Sequence, residues 1–364
     1  MLSKGKTLAQ LESLFDFSTH GFCFKLLKRG GIVILVTGGL GFIGSALIHE
    51  LNRMGETDIV IVDRFREGEK WLNVRGLKYS EFVSADDLFT AKHQALTDKV
   101  NAIFHMGACS STTELNMDFL YENNVVYSQK LFEWATSKKI PFLYASSAAT
   151  YGEGELGYSD DEASIDRLRP LNPYGYSKQL FDEWVLAKNK RPPAWYGLKF
   201  FNVFGPGEYH KGSMASVVFH AFNQIQKNGS VKLFKSYREG IADGGQQRDF
   251  VYVIDICRAM IDLWQKDAGK KSGIYNMGTG TARSFEDLAR GVFKSLGKTE
   301  KIEFIEMPEQ LRGRYQYYTQ AEMGKFLNTL PGFKFHSLEE GIDHYVKGYL
   351  ANQQMYFNLK GHNS

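Results

Sequence analysis

The chain has 364 residues, 43% hydrophobic and 23% charged, enough for two domains or one large one with a core that needs neither disulfides nor a structural metal. Lys and Arg number 44 against 41 Asp and Glu, a net +3 that argues against a nucleic-acid partner. No apolar run approaches the roughly 20 residues of a membrane helix, and three scattered cysteines, Cys23, Cys109 and Cys257, exclude a disulfide framework and a Cys-type zinc site and fit a reducing cytoplasm.

Residues 1–31 carry five bases and two acids, so the other 333 residues carry 39 of each. Their apolar residues are broken by Ser, Thr, Gly and Lys, and the segment reads as a loose extension, not as a signal peptide. Order begins at Ile32. Ile32–Val36 is a β-branched run of the buried parallel type. A helix over Phe42–Met54 follows, then a strand at Ile59–Val62 that ends on Asp63. The alternation continues with strands near Ala102–His105, Phe142–Ser146 and Tyr196–Phe201, and with helices near Leu120–Thr136 and Tyr174–Lys188. Such spacing predicts an α/β fold, a Rossmann-type doubly wound parallel sheet. Beyond Phe201, Val251–Val253 and Ile274–Asn276 read as late returns to that sheet, and helices are expected at Phe285–Ser295 and Leu338–Tyr349. The expected division is residues 32–203 with about 248–280 for a cofactor domain. About 204–247 with 281–355 form a smaller, discontinuous α/β substrate domain.

Gly38, Gly41 and Gly44 directly follow the first strand and open the first helix. Gly38 permits the tight turn, Gly41 lets backbone approach a pyrophosphate, and Gly44 allows close helix–strand packing. Asp63 lies 19 residues after Gly44, where a carboxylate meets an adenosine ribose. Asp63 alone favours NAD, but Arg64, Arg66 and Lys70 can accept a 2′-phosphate, which favours NADP over NAD.

Tyr174 and Lys178 are i and i+4 on a predicted helix and share one face. A phenol with an ordinary pKa near ~10 is a poor base at neutral pH. A neighbouring ammonium and a nicotinamide's positive charge are expected to bring it into range. Ser147 ends a strand where a parallel sheet exposes its active edge, placed to donate to a reacting oxygen. His49, His93 and His344 have no metal-ligand spacing, so no metal is expected. The cluster Asp160-Asp161-Glu162 reads as a solvated loop.

This trio resembles the extended short-chain dehydrogenase/reductase superfamily. Further blocks, Gly107–Glu114, Ala145–Gly152, His210–Ser216, Arg248–Val253 and Gly313–Gln316, resemble the ADP-L-glycero-D-manno-heptose 6-epimerase family, from Ile32 to about Leu350. The resemblance implies a redox-neutral isomerase with tightly held NADP acting on an ADP-heptose for the lipopolysaccharide inner core. It also implies a cytoplasmic homo-oligomer, in the family a pentamer. It makes Tyr174 and Lys211 the two acid/base residues. Phe42, Ile43, Asp63, Arg64, Lys70, Asn123, Lys178 and Val203, with the backbone of Met106, Gly107, Ala108, Cys109 and Ser110, become cofactor contacts. Asn202, Ser213, His220, Phe234, Arg248 and Tyr315 become substrate contacts, with Arg248 and His220 suited to a diphosphate. Arg64 stands where the family often has Asn, Ala85 near a family lysine, and Met106 at an acidic position. The loop Tyr237–Gln247 is longer than the family form.

A UDP-sugar 4-epimerase shares the Ser/Tyr/Lys trio and is the alternative. A 4,6-dehydratase needs acids where Ala148 and Ala149 stand. A non-enzymatic dinucleotide sensor would have lost one of the trio, and none is lost.

Overall fold

The computed structural model describes residues 32–312, 315–352 and 355–359; the expectations for residues 1–31, and for Gly313 and Arg314, lie outside them. β1 (Val33–Thr37) is buried along its whole length, as its unbroken apolar run requires of a strand covered on both faces. α1 (Phe42–Arg53) follows, then β2 (Ile59–Asp63), β3 (Glu81–Ser84) and β4 (Val100–His105). β3 is missing from the sequence reading. It is the half-exposed edge strand, so it lacks the apolar run that marked its neighbours.

The helix expected near Leu120–Thr136 begins with a short turn, Met117–Leu120, and widens into π-type turns over Tyr121–Val126. It continues as α2 (Tyr127–Lys138). The widened stretch carries Asn123 and Asn124. Asn124 clips the backbone of Cys109 from both sides, accepting from its N–H at 2.8 Å and donating to its carbonyl at 3.0 Å. Wide turns of this kind often mark functional segments of helices.

β5 (Phe142–Ser147), α3 (Pro173–Leu186) and β6 (Trp195–Phe200) complete the first half. Next come β7 (Asn202–Phe204), α4 (Val217–Asn228), β8 (Val231–Phe234), β9 (Gln247–Tyr252), α5 (Val253–Asp262) and β10 (Gly273–Met277). The chain ends through β11 (Ala282–Ser284), α6 (Phe285–Leu296), β12 (Ile302–Ile305) and α7 (Leu338–Tyr345), which widens over Val346–Leu350.

The main sheet runs β10-β6-β5-β4-β1-β2-β3, all parallel. Its order reverses between β1 and β4, the switch point where such sheets bind ligands. One expected return is corrected. Residues 247–252 join β7 and β11 in a separate three-stranded sheet, and Val253 already opens α5. The β-branched residues there cover a small sheet, and composition alone does not tell one sheet from another. β8 and β12 pair separately.

The acidic cluster is also corrected. Asp160 is buried and accepts from Asn276 N–H at 2.8 Å. Glu162 accepts from Ile274 N–H and from Lys325 at 3.0 Å each. These carboxylates fasten a loop to β10; only Asp161 stays exposed, capping a short turn.

Candidate active site

The glycine turn is held by sterics. Gly38 has φ +67°, and a Cβ there would lie 2.6 Å from Gly107 Cα. A Cβ on Gly44 would lie 2.2 Å from the Gly38 carbonyl oxygen. Neither Gly38 nor Gly44 therefore accepts a side chain, and α1 starts against the turn with Gly41 as an N-cap that has no side-chain cap and no acid in its first turn. Gly38, Gly41, Phe42, Ile43 and Gly44 line one end of a cavity of about 770 Å³. Backbone bared this way, at a helix start over a sheet switch point, fits a dinucleotide pyrophosphate. A buried chain braces the turn from below: Thr37 Oγ1 to His105 Nδ1 at 2.6 Å, and His105 Nε2 to Ser128 Oγ at 2.8 Å. Burial pulls the His105 imidazole down to about 3, so it bridges as a neutral ring.

Met106, Gly107, Ala108 and Ser110 line the same cavity, as do Asp63 and Lys70. Asp63 accepts from Leu40 N–H at 2.9 Å and from Lys70 Nζ at 2.6 Å. Arg64 and Asn123 stand instead on a second cavity. Arg64 is held there by Asp86, with Nε 3.0 Å from each carboxylate oxygen, and reaches Asn123 Oδ1 at 3.2 Å. Cys109, between Ala108 and Ser110, does not line the first cavity, and its backbone N–H and carbonyl are both bonded to Asn124. Arg64 and Asn123 thus face a neighbouring cavity, with the guanidinium held by the Asp86 carboxylate.

At the other end stand Ser147, Tyr174 and Lys178. Asn172 caps α3, accepting from Gly175 N–H at 2.8 Å, and Pro173 supplies a first-turn residue that needs no partner. Gly175 then lets α3 approach β5's exit turn; a Cβ there would lie 2.7 Å from Ala149 O. Tyr174 is thereby brought beside Ser147. Burial raises the Tyr174 phenol above its ordinary value, with a hydrogen bond to Ser147 acting against it. The Lys178 ammonium is engaged 2.8 Å from Ala145 O, and burial disfavours the phenolate more than Ser147 favours it. Burial also pulls Lys178 down to about 8, opposed by Asp182.

Beneath this pair lies a network absent from the sequence reading. Asp182 and Lys199 form a fully buried ion pair at 2.8 Å. Asp182 also accepts from Ser146 Oγ at 2.7 Å and Tyr144 OH at 3.0 Å, and Lys199 donates to Thr150 at 2.7 Å. The pair ties the helix of Tyr174 and Lys178 to the strand and turn of Ser147. Asp182 lies four residues after Lys178, one turn along the same helix face, and that spacing was the available signal.

Lys211 enters from the short turn Tyr209–Met214, its Nζ 5.5 Å from the centre of the Phe42 ring. Burial lowers its pKa, with Glu208 acting in the opposite direction. Asn202, Val203, His220, Phe234, Arg248 and Tyr315 line the cavity beyond it. Arg248 is buried, donates to Gln247 O at 2.8 Å and to Gln316 O, and lies 5.1 Å from the Tyr315 ring centre. Ser213 is the exception: it is exposed, and its carbonyl lies 3.4 Å from His220 Nε2. Gly212, with φ +55°, turns the chain there and carries Ser213 away from the cavity.

Residues 34–278 match the NAD dependent epimerase/dehydratase family. A protein of Fusobacterium nucleatum subsp. nucleatum named ADP-L-glycero-D-manno-heptose-6-epimerase is 50% identical over 335 residues, 89% of this chain and 100% of that one. The chain belongs to the ADP-L-glycero-D-manno-heptose-6-epimerase family. A second member of this heptose-epimerase family, from Nitratidesulfovibrio vulgaris (Hildenborough), is 48% identical over 318 residues, 87% of this chain and 98% of its own. The crystal structure of the Helicobacter pylori heptose 6-epimerase superposes with TM-score 0.73 at 30% identity, covering 87% and 96% of the two chains. Among the described residues no His/Cys/Asp/Glu group could hold a metal, and no helix is long and apolar enough to cross a membrane.

Proposed function

We propose that this chain epimerises C6″ of an ADP-manno-heptose, converting ADP-D-glycero-β-D-manno-heptose to its ADP-L-glycero form. The observation that carries the reading is the convergence of Ser147, Tyr174 and Lys211 on one cavity that begins at the glycine cradle. Identity of 48–50% over the body to proteins named for this reaction supports it over the UDP-sugar 4-epimerase alternative.

A nicotinamide dinucleotide, NADP in preference to NAD, supplies a hydride acceptor that later returns the hydride. The residues that would hold it are the Gly38–Gly44 turn, Asp63, Lys70, Met106–Ser110, Lys178 and Val203, with Arg64 and Asn123 toward a 2′-phosphate. Asn202, His220, Phe234, Arg248 and Tyr315 hold the sugar nucleotide, with Ser213 at its rim. Ser147 orients the C6″ oxygen by a hydrogen bond. Tyr174 exchanges the proton of that oxygen on one side of the pocket and Lys211 on the other. Two proton-exchanging groups are needed because the oxygen changes sides when the configuration inverts. Burial of Lys211 favours its neutral, proton-accepting form.

The product is assigned to lipopolysaccharide inner-core synthesis in the cytoplasm, by a homo-oligomer such as a pentamer. Residues 32–203 with about 248–280 are assigned to cofactor, and 204–247 with 281–355 to substrate. The test is incubation with each ADP-heptose epimer, followed by proton NMR at C6″. Both epimers should reach one equilibrium mixture. Absence of conversion from either side overturns the reading, as does near-normal turnover in both Tyr174→Phe and Lys211→Met.

A further inference from the structure

We propose that Glu208 is a positioning residue for Lys211: its buried carboxylate clasps both ends of the loop that carries the lysine. The inference rests on the reading of Lys211 as an acid/base residue.

Glu208 is 1% exposed, and a buried carboxylate must find donors or destabilise the fold. It finds them on both sides of Lys211. Gly205 N–H donates to Oε1 at 3.3 Å, Ser216 Oγ donates to Oε1 at 2.7 Å, and Ser216 N–H donates to Oε2. Ser216 is the N-cap of α4 and its hydroxyl also accepts from Phe219 N–H at 3.3 Å. The carboxylate therefore sits at the start of a twelve-residue helix, where the helix dipole favours an anion. That helix presents His220 and Gln224 to the cavity.

The loop needs such a clasp because its backbone is permissive. Gly205, Gly207 and Gly212 have φ of +141°, +97° and +55°. Three glycines in conformations that other residues avoid give a segment with little stiffness of its own. Lys211 is fixed to the clasp directly, its N–H donating to Glu208 O at 2.9 Å. A second tie comes from buried Asn73, whose amide donates to Leu40 O at 2.9 Å and Gly207 O at 3.0 Å and meets His210 Nδ1 at 3.1 Å. Asn73 joins the loop to the glycine cradle and Glu208 joins it to the substrate-side helix, so Lys211 is placed with respect to both.

In Glu208→Gln the amide oxygen can take only one of the two carboxylate positions, and the NH₂ group in the other then opposes a backbone N–H, that of Ser216 or that of Gly205. A displacement of about 1 Å in an acid/base group costs on the order of 100-fold in rate. The experiment has two readouts. The first is kcat and KM for ADP-heptose epimerisation in Glu208→Gln, Lys211→Met and the double variant. The second is the acetylation rate of Lys211 by an N-hydroxysuccinimide ester, resolved by peptide mass spectrometry, in wild type and Glu208→Gln.

We expect kcat to fall by about 10- to 100-fold with KM within about threefold, and Lys211 acetylation to accelerate by about fivefold or more as the loop opens. The kcat loss should vanish in the Lys211→Met background, because coupled residues are not additive. An equal loss in that background, or unchanged acetylation, overturns the proposal. If Lys211→Met keeps near-normal turnover, the acid/base reading fails by itself, and the acetylation rate still decides the clasp. If Glu208→Gln does not fold, Ser216→Ala removes one donor and should accelerate Lys211 acetylation in the same direction; no acceleration overturns the clasp.

Discussion

Gly175→Ala separates helix propensity from active-site geometry. In an exposed helix interior, Gly→Ala stabilises by about 1 kcal/mol. Gly175 is not in that situation. An added Cβ would lie 2.7 Å from Ala149 O and 3.1 Å from Pro170 Cβ, against 3.4 Å where ordinary contact begins. The nearest obstacle is a backbone carbonyl of the turn that follows β5, so no rotamer change relieves it. α3 and the 148–151 turn must separate by about 0.7 Å, and overpacking of this kind costs about 1–3 kcal/mol. The same separation sets Tyr174 against Ser147, so kcat should fall by about 10- to 100-fold while KM changes little. Steady-state epimerisation by NMR and urea unfolding measure the two effects. Gly348→Ala is the control: nothing lies within 4 Å of its Cβ, and it should gain about 0.5–1 kcal/mol with kcat unchanged. A Gly175→Ala protein that is more stable and turns over within twofold of wild type would refute the steric reasoning.

Asp182→Asn breaks the fully buried pair with Lys199 and should cost about 3–5 kcal/mol in urea unfolding; adding Lys199→Met should restore most of it. Asp86→Asn frees Arg64 from its bidentate partner, and NADP affinity should rise relative to NAD by up to about fivefold, since exposed pairs are weak; an unchanged ratio in fluorescence titration removes Asp86 from selectivity. Lys178 titrates near about 8 when folded against an ordinary 10.5. The unfolded chain therefore binds the extra proton between those values, and stability from this group rises with pH across about 8 to 10.5. Below about 8 the ligand-free protein carries a buried ammonium, so Lys178→Met should be the more stable protein at pH 7, with its advantage fading by pH 10. Calorimetry showing it less stable at pH 7 contradicts the burial argument.

Legibility followed the range of the interaction. Tyr174 and Lys178 were legible because one helical turn joins them, and Gly38, Gly41 and Gly44 because one turn of chain contains all three. The strand ends were legible where both faces are buried, as in β1, and not at the edge, as in β3. What stayed hidden were partners that only the fold makes neighbours. Asp182 meets Lys199 across α3 and β6. Glu208 meets Ser216 across a loop whose glycines look like ordinary turn residues. Arg64 reads as an available cation and is occupied by Asp86, a residue of the next strand's exit. Sequence charge counts therefore overstate the free cations at this site. Arg64 and Lys70 each face a carboxylate, Lys178 and Arg248 donate to carbonyls, and Lys211 has Glu208 beside it. A chain whose body sums to zero charge can hold these cations around its two cavities because their partners are built in. An anionic ligand must then compete with those partners, and selectivity is set by how tightly each cation is already held.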